Sequence, residues 1–335
     1  DDDFDSLSAS DLHQTATEAD GRLEREERFS EALSGLEEQL ADLPSFTEVD
    51  RYLLSNNDIP AEALAKLDTG KAPRSSYLSS DASKIQVFVL FGLDGVDSSD
   101  SVMLVALDRV HQKIKLISLA RDSYVFIPEF ASFSKLAYSY TWGGAAMAVK
   151  NLNYNYYLNV SDYIAVDFDQ LAEIIDRIGG VTVNIDEDEA RYLSGYPNVH
   201  VGDCLLDGKT AVSYARIRKS SATDSDRKRT GRQREVILSI LNTLQTMPLS
   251  QYPGFVRDCL GMCATSFEAE TLLTMAAETL GQNYTVEQYF FPEGQVDWWA
   301  GLIKEYFYYV YDLRRASDRI YRIIYEELYI SGYDD

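Results

Sequence analysis

The chain is predicted to be an α/β protein, a central mixed β-sheet sandwiched between helical layers, with short acidic helices in front. Two stretches predict it. Ile85–Leu93 (IQVFVLFGL) is a near-continuous apolar run, the pattern of a central strand buried on both faces. Residues 163–185 read as a strand, a helix closed by Gly179-Gly180, and a second strand, the repeating unit of α/β folds.

Taken in order, residues 1–20 are polar and acidic and are expected to be disordered. Residues 21–43 carry Leu36, Leu40 and Leu43 at helical spacing, which predicts an exposed amphipathic helix. Helices are expected at 46–54 and at 60–67, the second with proline at its start. Gly, Pro and Ser in 68–83 read as a linker, so 1–83 is expected as an extension and 84–335 as the catalytic domain. After the first strand, strands are expected at 102–107, 113–119, 163–168, 181–185, 286–291 and 306–311. Helices are expected at 143–152, 170–178, 187–193, 208–214, 232–244, 268–280 and 316–329, with Ser266 as cap of the helix at 268.

The formal net charge of −23 excludes nucleic acid as the main ligand, because phosphate backbones are met by broad basic surfaces. No apolar run approaches the roughly 18 residues a membrane span requires. The start, DDDFDSLSAS, is neither a signal peptide nor an initiator context, so it is read as a trimmed or processed form lacking an upstream targeting segment. Cys204, Cys259 and Cys263 lack zinc spacing and read as structural thiols.

Against this acidic background, residues 216–234 hold eight Lys/Arg and two Asp. So concentrated a cationic patch calls for an anionic partner, and arginine's planar fork suits bidentate grip on phosphate. Arg216 and Arg218 follow the apolar run AVSYA at period two, which predicts one extended segment pointing both the same way. Arg229, Arg232 and Gln233 sit three or four apart at a helix start and share a face, with Asp224 and Asp226 near its entrance. Two more clusters fall at predicted strand ends, where α/β folds place ligands. Asp94 leaves the first strand and Asp100 enters the second, close enough to share a hard cation such as Mg²⁺. Arg121-Asp122 leaves the third.

The order GLD at 92–94, SDS at 99–101, RD at 121–122, YARIR at 214–218 and DRKRTGRQR at 226–234 resembles the LytR-CpsA-Psr (LCP) family of cell-wall glycopolymer ligases. Lys135 with Tyr140, the Gly143-Gly144 helix start and VDFDQLAEIIDRIGGVTVNI at 166–185 are also similar. The resemblance runs from about residue 84 to 244 and more weakly to 329. It implies an extracytoplasmic enzyme, held to the membrane of mainly Gram-positive bacteria by an N-terminal helix. Such an enzyme moves a glycopolymer from a polyprenyl pyrophosphate lipid to a peptidoglycan hydroxyl as a phosphodiester. By the match, Arg121, Arg216, Arg218 and Arg229 would grip the pyrophosphate, with Gln233 as neutral donor, and Asp94 and Asp100 would hold Mg²⁺. Asp122 would orient Arg121 or act as general base. Arg232 would face the sheet or pair with Asp226. Ser99 stands where the family often has arginine, so that contact is either lost or supplied by Lys135. The lipid tail would need an apolar tunnel, walled by the first two strands and the helices after 143 and at 232–244. Pyrophosphatase action and lipid-pyrophosphate binding without turnover are the alternatives.

Overall fold

The computed structural model describes residues 43, 45–55, 58–67, 77–95, 98–218, 222–280, 284–292, 294 and 296–330. The helix expected at 21–43 and most of the linker at 68–83 lie outside the described residues. Short helical turns at Phe46–Val49, Asp50–Tyr52 and Ala61–Leu64 come first. Then follow β1 (Tyr77–Leu78), β2 (Ile85–Leu93), β3 (Ser99–Asp108), β4 (Lys113–Leu119), β5 (Tyr124–Ile127) and β6 (Ser132–Lys135). The helix α1 (Leu136–Tyr156), β7 (Tyr163–Asp167), α2 (Phe168–Arg177), β8 (Val181–Ile185), α3 (Glu187–Tyr192), β9 (Gly202–Leu206) and α4 (Gly208–Ala215) come next. The chain continues through α5 (Ala222–Thr246), α6 (Tyr252–Leu260), β10 (Ala264–Thr265), α7 (Ala269–Leu280) and β11 (Thr285–Phe291). It closes with β12 (Trp298–Ile303), β13 (Tyr306–Tyr311), α8 (Leu313–Tyr325) and β14 (Tyr329–Ile330).

Six strands form the central sheet in the order β10-β7-β2-β3-β4-β11. It is mixed: β2 runs parallel to β7 and β4 to β11, while β3 lies antiparallel between β2 and β4. The carboxyl ends of β2, β4, β7 and β11 therefore share one edge with the start of β3. Alternation divides the strands between two cores. Val89, Phe91, Val102, Leu104, Ile117 and Leu119 face α1 and α8. Phe88, Met103, Val105, Leu107, Ile114 and Leu116 face α5 and α7. Helical layers thus cover both faces.

Several local readings are corrected. The segment at 181–185 forms a strand, but it leaves the main sheet to pair antiparallel with β9. Likewise β13 pairs with β12, a strand missing from the sequence reading. The hairpin β5–β6 and helix α6 were also not predicted. The helix expected from 143 starts at Leu136 and is interrupted at Gly143 and Gly144, where Gly144 takes a positive φ of 61°. Ser266 does not cap the helix at 268; its Oγ accepts from the Tyr163 N–H and donates to Asp162. Residues on both sides of the boundary expected at 83–84 share core: Leu54, Ile59 and Ala63 pack with Tyr124, Tyr308 and Val310.

Candidate active site

At the shared edge, backbone geometry first sets the position of Asp100. Gly92 pairs with Ser101 and Leu93 with Ser99, so Asp100 is the extra residue of a bulge. Bulges re-aim side chains, and this one brings a carboxylate to the rim. Asp100 is 7% exposed. Three guanidinium groups from distant segments meet its Oδ1. Arg121 donates a hydrogen bond through Nη1, Arg218 Nη2 stands 3.7 Å away, and Arg229 Nη1 stands 3.8 Å away. Arg121 is held at the turn after β4, where Ala120 N–H bonds to Phe291 O and Ala137 N–H to Arg121 O. Ser123 Oγ, which bonds to Ala120 O, is tied through the Tyr311 hydroxyl to that of Tyr156, all buried. Such a turn presents its arginine from a rigid base.

Asp122 lies on the other side of Arg121, its Oδ2 3.8 Å from Nε. Lys135 Nζ donates to Asp122 Oδ1 at 2.7 Å. The lysine head also lies 5.3 Å from the Tyr308 ring centre and 5.7 Å from that of Tyr306. A chain of alternating charge therefore runs Asp100, Arg121, Asp122, Lys135 along the sheet edge.

Arg216 is placed differently. The helix expected at 208–214 is present as α4 and runs to Ala215, so Arg216 is its C-cap in the right-handed region and does not share one extended segment with Arg218. Its guanidinium lies 4.4 Å over the Phe168 ring, exposed, with no contact to Asp100 among the described residues. Arg229 and Gln233 do not open the helix, because α5 already begins at Ala222. Arg232 points away from both: its Nε donates to Glu189 at 2.6 Å and its Nη1 to Ile217 O at 3.1 Å. Its expected partner Asp226 has no described side chain. The role of Glu189 was invisible in the sequence, since nothing local links α3 to α5. Gln233 carries a buried Oε1 without a hydrogen-bond partner among the described residues.

Asp94 follows β2, where its N–H bonds to Ser98 O and its carboxylate accepts from Ser98 N–H at 3.3 Å. Asp94 and Asp100 thus stand on neighbouring strand ends and offer hard oxygen donors. Every contact of Asp100 named above falls on Oδ1. In type, these are the donors a magnesium-sized cation takes.

Behind the arginines a cavity of ≈310 Å³ opens between the sheet and α5, α6 and α7, lined by Phe88, Val105, Leu116, Leu241, Phe255 and Met275 among others. Of the walls expected for a lipid tunnel, the first two strands and the helix at 232–244 line this cavity. Helix α1, which contains residue 143, packs on the opposite face of the sheet, and α6 and α7 complete the cavity instead. Burial pushes the thiols of Cys259 and Cys263, which also line it, up to about 12 and about 11. All three cysteines are free.

The chain is thus an α/β protein with an arginine cluster at one edge of its mixed sheet and an apolar cavity between that sheet and one helical layer. The model of the LytR_cpsA_psr family matches residues 57–320, and the chain belongs to that family. It is 29% identical over 230 residues to the polyisoprenyl-teichoic acid–peptidoglycan teichoic acid transferase TagU of Oceanobacillus iheyensis, covering 65% of this chain and 69% of that protein. It is 30% identical to the regulatory protein MsrR of Staphylococcus aureus, covering 52% of this chain and 54% of MsrR. The chain thus spans about two thirds of the first relative and about half of the second. Among solved structures, Bacillus subtilis TagT superposes with a TM-score of 0.60 at 20% identity, over 72% of this chain and 92% of TagT. TagT with bound octaprenyl pyrophosphate gives 0.56 at 19% identity, over 74% and 90%. At such identities these structures speak to the fold.

Proposed function

We propose that the chain transfers a glycopolymer from a polyprenyl pyrophosphate lipid to a peptidoglycan hydroxyl, forming a phosphodiester on the extracytoplasmic face of the membrane. As a member of its family it is a transferase. Its relative TagU is named for teichoic acid transfer, and a TagT structure holds octaprenyl pyrophosphate. The observation that carries the reading is one stripe on α5. Arg229, Gln233, Ile237 and Leu241 recur every four residues, so a single helix face passes from cation to amide to apolar wall. A lipid with a diphosphate head and hydrocarbon tail has the same gradient.

Arg121, Arg218 and Arg229 would neutralise the diphosphate, with Gln233 beside them and exposed Arg216 reaching the glycan-side phosphate. Phosphoryl transfer needs alignment and charge neutralisation more than covalent help. Asp94 and Asp100 would hold Mg²⁺, which when bound supplies further charge neutralisation at a phosphate oxygen. Asp122, anchored by Lys135, would take the proton of the attacking hydroxyl. No helix among the described residues is long and apolar enough to cross a membrane, so anchoring would fall to a segment outside them.

The test is product analysis with a lipid-linked oligosaccharide, peptidoglycan and Mg²⁺. A glycan-linked phosphodiester is expected. Free glycan phosphate with lipid phosphate would replace transfer by hydrolysis, and tight lipid retention without product would reduce the chain to a binding module.

A further inference from the structure

The lipid cavity lies on the α5–α7 face of the sheet, and the phosphate site lies at the sheet edge. On the other face, beside the Asp122–Lys135 pair, three tyrosines from three distant segments come together. Tyr52 belongs to the front segment, Tyr138 to the first turn of α1 and Tyr306 to the start of β13. The Tyr52 ring centre is 5.0 Å from that of Tyr138 and 5.9 Å from that of Tyr306. All three are only partly buried. Burial, with the neighbouring Tyr306 and Tyr52 adding, pushes the Tyr138 phenol up to about 12, so it remains a hydrogen-bond donor at neutral pH. Lys135 bridges the cluster to Asp122, its head over the Tyr306 ring.

The position of Tyr52 is built rather than incidental. Ser134 Oγ donates to Tyr52 O at 2.7 Å, Leu54 bridges to Phe133, and Lys304 Nζ donates to Leu53 O at 3.4 Å. Trp299 Nε1 donates to Glu62 at 3.0 Å further along. The front segment is thereby strapped across β6 and the β12–β13 hairpin, and it delivers a ring that precedes residue 57, where the family match begins.

We propose that Tyr52, Tyr138 and Tyr306 form the acceptor subsite, holding a pyranose of the peptidoglycan glycan with its hydroxyl turned toward Asp122. This rests on the transferase reading given above. Phenol rings offer an apolar face to the C–H side of a sugar and a hydroxyl rim to its polar edge. In-line displacement needs the nucleophile opposite the leaving group. With the polyprenyl chain on the α5 side of the edge, the tyrosine side is where the acceptor must stand. The acceptor oxygen then bonds to the glycan-bearing phosphorus and its proton passes to the Asp122 carboxylate. The anhydride P–O bond breaks, and polyprenyl phosphate leaves with the electron pair.

The experiment is steady-state transfer by the full chain, with a lipid-linked oligosaccharide as donor and a soluble uncrosslinked peptidoglycan oligosaccharide as acceptor. Tyr306→Phe and Tyr138→Phe should each raise the acceptor KM several-fold and leave the donor KM within two-fold. Tyr52→Ala should raise the acceptor KM about ten-fold, and Tyr52→Phe should restore much of it. An unchanged acceptor KM in the two Phe variants, or a raised donor KM instead, overturns the subsite; the latter would assign the tyrosines to the donor glycan. Failure of the wild-type chain to transfer at all sinks the transferase reading, a distinct result. Unfolding midpoints of the Phe variants should match wild type, because each loses one oxygen and no packing volume.

Discussion

At the scale of single residues, the two arginines nearest Asp100 after Arg121 differ in what they support. The Arg218 side chain is 54% exposed and reaches the carboxylate from an irregular segment, so folding has little use for it. Arg218→Ala should lower kcat by about 10²–10³, the usual loss of one charge-stabilising donor. Its urea unfolding free energy should stay within about 0.5 kcal/mol of wild type. Arg229 is 2% exposed. Arg229→Ala leaves the buried Asp100 with less compensation and should cost about 3 kcal/mol of stability as well as activity. Equal stability of the two variants would show that burial does not separate their roles. The residue types at this edge were legible because strand ends and an arginine-rich run mark themselves in a sequence. Arg216 was misread because the helix expected at 208–214 runs one residue further and takes Arg216 as its C-cap over Phe168, while Arg218 reaches Asp100; helix ends are where sequence patterns are least exact. The contact of Arg232 with Glu189 was not foreseen, because the two lie 43 residues apart. A tertiary pairing of that kind leaves no local trace.

At the scale of elements, legibility followed burial. Strand β2 matches its expected bounds to the residue, because a strand covered on both faces leaves an unbroken apolar run. Strand β13 likewise matches its expected 306–311, whereas the four-residue strands of β5–β6 and the neighbouring β12 escaped; they pair outside the main sheet, in two-stranded hairpins. Helix α1 was begun seven residues late, at the glycine pair that interrupts it rather than at Leu136. Two packings at this scale can be tested. Gly208 opens α4 against α2, and a Cβ there would lie 2.0 Å from Ala172 O, a backbone atom that cannot step aside. Gly208→Ala should therefore destabilise the chain by about 1–3 kcal/mol, the range for overpacking, although alanine is the better helix former. Denaturant unfolding checks it, and a neutral or stabilising result would mean that α2 and α4 are free to separate. Leu241 lines the cavity from α5. Leu241→Trp should fill part of it and cut the lipid recovered by mass spectrometry from the purified protein several-fold. Undiminished lipid would place the hydrocarbon elsewhere.

At the scale of the whole molecule, the sheet edge opposite the site is tied to the segment after α8 through charge. Asp108 at the end of β3 accepts from buried Lys115 Nζ at 2.7 Å and contacts His111 Nδ1 at 2.6 Å. Past α8, Glu326 accepts from Lys113 at 2.8 Å and pairs with Lys115, and Glu327 meets His111 Nε2 at 2.8 Å. Immediately beyond, β14 pairs with β1, so this network clamps the segment after α8 beside that two-stranded pairing. Burial alone would lower the His111 value, but its bonds to Asp108 and Glu327 outweigh that and leave it raised above 6.5. A raised folded-state value means the stabilisation is fully present below about pH 6.5 and is lost as pH rises through the folded value. Asp108 and Glu326 behave oppositely. Burial pushes both up, yet bonds from Lys115 and His111 to the first, and from Lys113 and Lys115 to the second, leave them lowered. Their contribution is present above the ordinary carboxylate range and is lost as pH falls through their folded values. Stability should therefore peak between the two transitions and decline on the alkaline side from about pH 6.5 upward. Urea midpoints read at half-unit steps from pH 5 to pH 9 would trace this decline, and His111→Gln should flatten its alkaline limb. Because the clamp and the arginine site stand at opposite ends of the same strands, transfer per folded molecule should keep its pH profile in that variant. A wild-type and a His111→Gln chain with superimposable alkaline limbs would refute the clamp.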